Sequence, residues 1–306
     1  MRGSSILVQG LLLLGAVQAA SAASPRGCDK ACMEGIADQY RAAYVRHDPK
    51  GLPLARNLRY TENGVVLPFP DGTWDTVTKE VGPALTLSDT KTGNVGVYTA
   101  IVQSQDTEGY LAVRLKIAAG QITEIEHIVS TKRNLSSPPT PIGPHAEYQP
   151  DFNFMKTVDA AKRLPRAQLV PFADGYFSTL QQNDGSIRGT AFAPDASRIE
   201  NGKKFPEIEK GFKSGYYRFN ERVRDRDFFL IDEERQVVMA RGFIDHKGVL
   251  DEYLQTDGVK QKSVYREPHS WAFLEMFKIE DRRINGVQAV FFGAPYYMPP
   301  PWPAKR

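Results

Sequence analysis

The chain has 306 residues, with 39 basic against 36 acidic side chains and a formal net charge of +3. The basic residues are interspersed with acids rather than gathered into runs, which argues against nucleic acid as a partner. The length suits two domains better than one.

Residues 1–22 have the layout of a secretory signal peptide. Met1-Arg2 gives a short positive start, Ile6 to Ala16 is a compact apolar run, and Ala20-Ser21-Ala22 supplies the small residues of a cleavage site. The alternative is an uncleaved anchor, for which the run is short. No later stretch is apolar enough to cross a bilayer, so a secreted or periplasmic chain without membrane contact after cleavage is expected. The two cysteines, Cys28 and Cys32, follow at once. In an oxidising compartment such a pair reads as a disulfide, here a small clasp on the first helix rather than a redox centre.

Next comes IADQYRAAYVRHDP (36–49), with a helical stripe of Met33, Ile36, Tyr40, Ala43 and Tyr44 and an Asp-Pro breaker. Glu62-Asn63-Gly64 marks a strand-to-turn corner. RLKIAAGQITEIEHIV (114–129) reads as a strand, a tight turn and a second strand. All three blocks return in order. FADGYFSTLQQNDG (172–185) carries the stripe Leu169, Phe172, Tyr176 and Leu180, Glu200-Asn201-Gly202 repeats the corner, and MFKIEDRRINGVQAVF (276–291) repeats the paired strands. The chain is therefore read as an internal duplication. Its expected division is a signal peptide at 1–22, a domain at 28–134, a linker at 135–152, a second domain at 153–296 and a Pro-rich tail at 297–306. The second copy is longer, mainly near 247–270. Asn134-Leu135-Ser136 is a glycosylation sequon if the host is a eukaryote. Each copy reads as α+β, a helix followed by long antiparallel strands, and the two copies are expected to pack sheet to sheet as an intramolecular pseudo-dimer.

That order resembles the nuclear transport factor 2-like (SnoaL-like) cone fold, the superfamily of ketosteroid isomerase, scytalone dehydratase and limonene epoxide hydrolase. The segments CDKACMEG (28–35), HDPKGLPLARNLRYTENG (47–64), GTW (72–74), FIDHKG (243–248) and FKIEDRRINGVQAVFFGAPYYMPPPW (277–302) resemble a group of secreted tandem-domain proteins of largely uncharacterised function. The resemblance implies a curved sheet wrapped around helices with an apolar cavity inside. It also implies either acid–base chemistry on a small hydrophobic molecule without metal or organic cofactor, or binding alone.

Phosphate-loop, dinucleotide, nucleophile-elbow and zinc-type motifs are missing from the sequence, and its five histidines are scattered. Matched positions that differ between the copies are the better guide. Leu111, Val113, Leu115 and Ile117 align with Phe273, Glu275, Phe277 and Ile279, which sets a carboxylate in an aromatic stripe where burial raises its pKa. Glu275 is either catalytic or ligand-facing there, or paired with an arginine, or turned outward. His127, opposite Ala289 in the alignment, is either a general base or a core hydrogen-bonding group. Asp245 and His246, two further catalytic candidates, end the strand VVMARGFIDH and should face opposite ways, so a direct dyad is not expected and one faces the cavity while the other pins the Lys247-Gly248 turn. Tyr40 and Tyr176 recur on the two helices as cavity donors or core residues, Trp74 is placed at a cavity mouth, and Arg114 completes the ligand-facing set. The two corner glutamates are expected to pair with Arg59 or Arg198, and the Pro-rich ending to pack across a sheet or act as a lid. The expected activity is that of a lyase, dehydratase or isomerase for an aromatic, polyketide-like or terpenoid molecule. A non-catalytic binding module and a structural protein with filled cavities are the alternatives.

Overall fold

A computed structural model of the protein describes residues 28–132, 140–181 and 183–302. The expected signal peptide, the Asn134 sequon, residues 135–139 of the linker and the end of the tail lie outside the described residues.

Helix α1 (Lys30–Arg46) starts at Asp29, whose carboxylate accepts a 2.9 Å hydrogen bond from the Cys32 N–H and so caps the first turn. The Cys28–Cys32 disulfide forms beside that cap, with the two Cα atoms 5.3 Å apart. Six strands follow: β1 (Leu54–Glu62), β2 (Val65–Val66), then after the one-turn α2 (Thr73–Thr76) β3 (Val77–Asp89), β4 (Asn94–Gln103), β5 (Thr107–Ala118) and β6 (Gln121–Thr131). The second set runs α3 (Arg166–Leu180), β7 (Phe192–Glu200), β8 (Lys203–Phe205), α4 (Ile208–Lys213), β9 (Arg222–Asp232), β10 (Val237–His246), β11 (Glu252–Leu254), β12 (Lys260–Lys262), β13 (His269–Glu280) and β14 (Arg283–Pro295). The fold class is α+β, with two six-stranded sheets ordered β2-β1-β6-β5-β4-β3 and β8-β7-β14-β13-β10-β9. In each, one pair is parallel (β1 with β6, β7 with β14) and the rest antiparallel. The extra length of the second copy forms the small hairpin β11-β12.

The recurring Glu-Asn-Gly has a physical reason at this corner. Asn63 and Asn201 adopt φ of 46° and 45°, followed by Gly64 and Gly202 at 79° and 77°, the backbone of a tight primed turn. Each asparagine then continues the parallel ladder with its side chain. Asn63 donates to Val129 O (3.1 Å) and accepts from Val129 N (2.8 Å), while Asn201 does the same to Phe291 O (3.1 Å) and from Phe291 N (3.0 Å).

The molecule is layered, helix on sheet on sheet on helix. Helix α1 covers the outer face of the first sheet with Met33, Ile36, Tyr40 and Tyr44, and α3 covers that of the second with Leu169, Tyr176, Phe177 and Leu180. The inner faces meet in one apolar seam, where Leu85, Leu87, Tyr98 and Ala112 pack with Leu230, Met239, Leu274 and Met276. Residues Val95–Val102 are buried without alternation because β4 is covered on both faces. Close approach sets the residue size: a Cβ at Gly96 would lie 2.0 Å from the Met239 sulfur. Polar ties cross the same seam. Glu126 pairs with both Arg114 and Arg241 at 2.8 Å, and Arg241 also reaches Asp227 at 2.8 Å.

The segment between the copies is built into the seam as well. Phe154 is fully buried, Tyr110 donates to Gly143 O (3.1 Å), and Asn201 donates to Pro141 O (3.0 Å). The Pro-rich ending crosses to the first half, where Arg59 donates to Pro301 O (2.6 Å) and the Trp302 ring lies against the guanidinium groups of Arg59 and Arg114 at 4.9 and 4.5 Å.

Gly202 tests the seam. Its φ is +77° and an added Cβ would lie 2.0 Å from the Tyr110 hydroxyl, whereas Gly258, at φ +84°, faces open space. Gly202→Ala should lower unfolding stability by about 2–4 kcal/mol and Gly258→Ala by about 1 kcal/mol, read from denaturant unfolding. Equal losses would show that Tyr110 yields without cost.

Candidate functional site

The two cones hold different side chains at equivalent positions. On the first sheet Val113 pairs with His127 across β5–β6, and Glu62 pairs with His127 across β1–β6. On the second, Glu275 pairs with Ala289 across β13–β14, and Glu200 with Ala289 across β7–β14. The strand irregularities match too, falling at Lys116/Ile117 and Lys278/Ile279.

The first cone is closed around His127. This ring is fully buried, with Nε2 2.8 Å from the Tyr40 hydroxyl, and Nδ1 3.3 Å from the Tyr60 hydroxyl and 3.4 Å from Glu62. Burial alone would raise the Glu62 pKa, but hydrogen bonds from His127 and from the Thr73 N–H hold it below the ordinary value. Tyr60 donates to the same carboxylate at 2.9 Å. Trp74 is fully buried rather than at a mouth, with its ring 5.1 Å from Tyr40 and 4.7 Å from Phe69. Both nitrogens of His127 are thus occupied inside an aromatic packing.

The second cone is open. A cavity of about 400 Å³ is lined by Tyr176, Arg198, Glu200, Tyr217, His246, Trp271, Phe273 and Glu275, among others. Strand β13 sends Trp271, Phe273 and Glu275 to this face by simple alternation. Ala289, beside Glu275, is small where the first copy has His127, and the difference is space. Glu275 is 3% exposed, and its pKa is raised to about 8, first by burial and next by the nearby Glu200 charge. Arg198 and a hydrogen bond with Tyr176 oppose that rise. Arg198 donates to the Tyr176 hydroxyl (3.1 Å) and the Tyr217 hydroxyl (2.7 Å), and pairs with Glu200 at 2.8 Å. Burial also lifts the Tyr176 phenol well above its ordinary pKa, so its proton is retained as a donor.

Of the sequence candidates, Tyr176, His246 and Glu275 line this cavity together. Asp245 points to the opposite face, where Ser270 (2.6 Å) and Arg224 (2.8 Å) donate to its carboxylate. Arg114 alternates with Val113 and Leu115 and so turns into the seam, 3% exposed and bound to Glu126 and Glu124 at 2.8 Å; it does not reach the cone interior. Arg198 and Glu200 were legible only as a structural corner. The sheet register aligns Arg198 with Tyr60, since their strands carry Glu200 and Glu62 two positions on. The expected pairing of a corner glutamate with an arginine holds for Glu200 and fails for Glu62, because Arg59 faces the tail. The register confirms what the one-position offset of the arginines implies, that a tyrosine in one cone is replaced by an arginine in the other.

A larger cavity, about 480 Å³, opens at the edge of the seam between Phe228, Phe243, Ala272 and the tail residues Pro300 to Trp302. Its Arg226 is bound to Asp174 (2.9 Å) and its Arg241 to Glu126 and Asp227. Both cations are thus paired with carboxylates.

The family model described as a domain of unknown function (DUF8021) matches residues 162–291. No curated protein matches. Among solved structures, a candidate polyketide cyclase from Xanthomonas campestris pv. campestris is 14% identical, covering 42% of this chain and 92% of its own, with a TM-score of 0.31. An NTF2-like protein from Cytophaga hutchinsonii is 10% identical over 42% of this chain and 100% of its own, with a TM-score of 0.28. A second candidate polyketide cyclase, from a Silicibacter species, is 15% identical over 42% of this chain and 92% of its own, with a TM-score of 0.30. Likeness at this level carries no activity over to this chain.

Glu275 should leave a signature in stability. Its folded pKa of about 8 lies above the ordinary value of 4.5, so the folded state holds a proton that the unfolded state has lost between those limits. The contribution of the neutral acid is fully present below pH 4.5 and is lost as pH rises through 8. The wild type should therefore lose stability relative to Glu275→Gln across this window, at up to about 1.4 kcal/mol per pH unit. Parallel stability–pH curves for the two proteins would show that the carboxyl ionises normally.

Proposed function

We propose that this chain is an exported, cofactor-free lyase, dehydratase or isomerase whose second cone moves a proton on a small, largely apolar molecule such as an aromatic, polyketide-like or terpenoid ketone. The observation that carries this reading is a buried carboxyl with a pKa of about 8 on the wall of an aromatic cavity, beside a tyrosine hydroxyl backed by an arginine. A carboxylate with that pKa is a stronger base than a solvated one and is poised near neutral pH. Glu275 takes the proton from a carbon next to the substrate carbonyl. The C–H electron pair becomes a C=C bond, and the carbonyl oxygen becomes an oxyanion that accepts a hydrogen bond from Tyr176, whose hydroxyl is released from Glu275 as that carboxylate gains the proton. Arg198 steadies that donor. The proton held by Glu275 then returns to a different carbon, which completes an isomerisation, or leaves with a β-hydroxyl group as water, which completes a dehydration.

The first cone serves as packing in this scheme, its His127 hydrogen-bonded within the core, and the halves act as an intramolecular pseudo-dimer with one working site. Export is supported by the signal-like residues 1–22 and by the Cys28–Cys32 disulfide. Among the described residues no helix is long and apolar enough to cross a membrane.

The test is wash-in of solvent deuterium at the carbon next to the carbonyl in a panel of multi-ring and terpenoid ketones, with dihydrochalcone included, followed by NMR. The wild type should exchange at least one ketone, with kcat/KM rising through pH 8 to a plateau. Glu275→Gln should lose about 10²–10⁴-fold in exchange while still binding, and His127→Gln should exchange normally. Exchange that persists in Glu275→Gln would remove this residue as the base. Binding without exchange in the wild type would favour a module that holds its ligand unchanged.

A further inference from the structure

His246 is buried and unsatisfied at the end of the cavity remote from Glu275. Its side chain is 2% exposed, it lines the second cone, and neither ring nitrogen has a hydrogen-bond partner among the described residues. Most buried polar groups of folded proteins are paired, so two open nitrogens on one ring require a partner from outside the chain. The ring is also held in place. It stacks on His269 (centroids 4.4 Å apart, planes at 12°) and lies against Phe219 (5.8 Å, 28°), which fixes its plane and leaves its edge free. Tyr265 and Trp271 stand around that edge at 5.0 and 6.1 Å.

Two features define what such an edge can bind. Burial and the neighbouring His269 hold the imidazole well below its ordinary pKa, so it is neutral, with one N–H donor and one lone-pair acceptor. The rings touching it are Phe219, Tyr265, His269 and Trp271, and none is a counter-ion for a charged ligand group. The charged groups of the cavity wall, Arg198, Glu200 and Lys203, are not among these rings, so a carboxylate or ammonium against the imidazole would lose its hydration without an ion pair in contact. His246 pairs with His269, six positions before Glu275 on β13 (275 − 269), and this separation is at most about 20 Å along the strand.

We propose that His246 forms a second polar subsite of the cone, taking an uncharged hydroxyl or carbonyl at the far end of an elongated molecule whose other end meets Glu275. The proposal rests on the reading of the cone as a cavity for a small apolar molecule, but not on catalysis within it. It selects molecules with a neutral hydrogen-bonding group at each end and an apolar middle against Trp271 and Phe273. Free carboxylic acids at the His246 end are excluded.

Calorimetric titration of the full chain with dihydrochalcone and with its derivatives bearing a hydroxyl or a carboxyl on the ring remote from the carbonyl tests this. The hydroxyl derivative should bind about tenfold tighter than the parent, and the carboxyl derivative more weakly than the parent. In His246→Phe the hydroxyl preference should shrink to within about twofold, while His246→Gln, which keeps a donor and an acceptor, should retain several-fold. Thermal melts of both variants show whether they fold, and the glutamine variant suffices if the phenylalanine variant does not. A preference unchanged in His246→Phe, equal affinity for the three probes, or a His246→Gln variant that binds the hydroxyl probe no better than the parent would overturn the subsite. Deuterium wash-in that fails while the hydroxyl preference tracks His246 would sink only the catalytic reading; wash-in that succeeds with a preference blind to His246 would sink only the subsite.

Discussion

The seam between the two sheets governs what the rest of the molecule can do. A curved sheet with one face on a helix still has a second apolar face to cover, and here each half covers the other's. Burial of this face stabilises by roughly 25 cal/mol per Å² removed from water, which no surface ion pair matches. Once the inner faces are committed, the cone interiors look outward in opposite directions. Each cone is then free to change its lining without disturbing its twin. The ionic ties at the seam work inside this apolar frame: Glu126 is shared by an arginine from each half, so neither cation is buried without a partner.

That freedom has been used. In one cone the bulky polar residue stands on β6, as His127, and in the other on β13, as Glu275, with Ala289 opposite. The move by one strand turns a filled core into a hollow. In the first cone the hydroxyls of Tyr40 and Tyr60 and the carboxylate of Glu62 satisfy the imidazole. In the second, Arg198 replaces Tyr60 and holds Glu200 and Tyr176, which leaves Glu275 facing a negative neighbour with only a phenol to share. A carboxyl under those constraints keeps its proton. The same backbone corner, fixed by Asn63 and Asn201, positions both outcomes.

Much of this was legible in the sequence, for identifiable reasons. Helical stripes, breakers and alternating strands are local patterns, and they placed α1, α3, β5, β6, β13 and β14 well. Comparison of the copies brought out Glu275 and His127, since a carboxylate or an imidazole in an apolar stripe is conspicuous. What stayed hidden was non-local. Whether a strand residue faces the cone or the seam depends on which face the other half covers, and so Arg114 was assigned to the wrong side. Trp74 has no sequence feature that separates a mouth from a core. Phe177, fully buried on α3, escaped a stripe that included the partly exposed Phe172. The open edge of His246 depends on Phe219, Tyr265 and His269, which come together only after folding.

Helix α1 and the Pro-rich segment ending at Trp302 each reach into the half to which they do not belong. At the start of α1, Lys30 binds Asp232 (3.0 Å) and Glu34 binds Arg235 (2.6 Å). In the Pro-rich segment, Trp302 is clasped by Arg59 and Arg114. With the connector also threaded through the seam, the halves are laced together at three places rather than joined by a tether. Their duplication therefore does not make them modular. A half cut out at the connector would lose its covering sheet, the borrowed contacts of α1 or Trp302 and the packing of Phe154 at once, and the hollow cone would depend for its shape on a twin that is packed solid around His127.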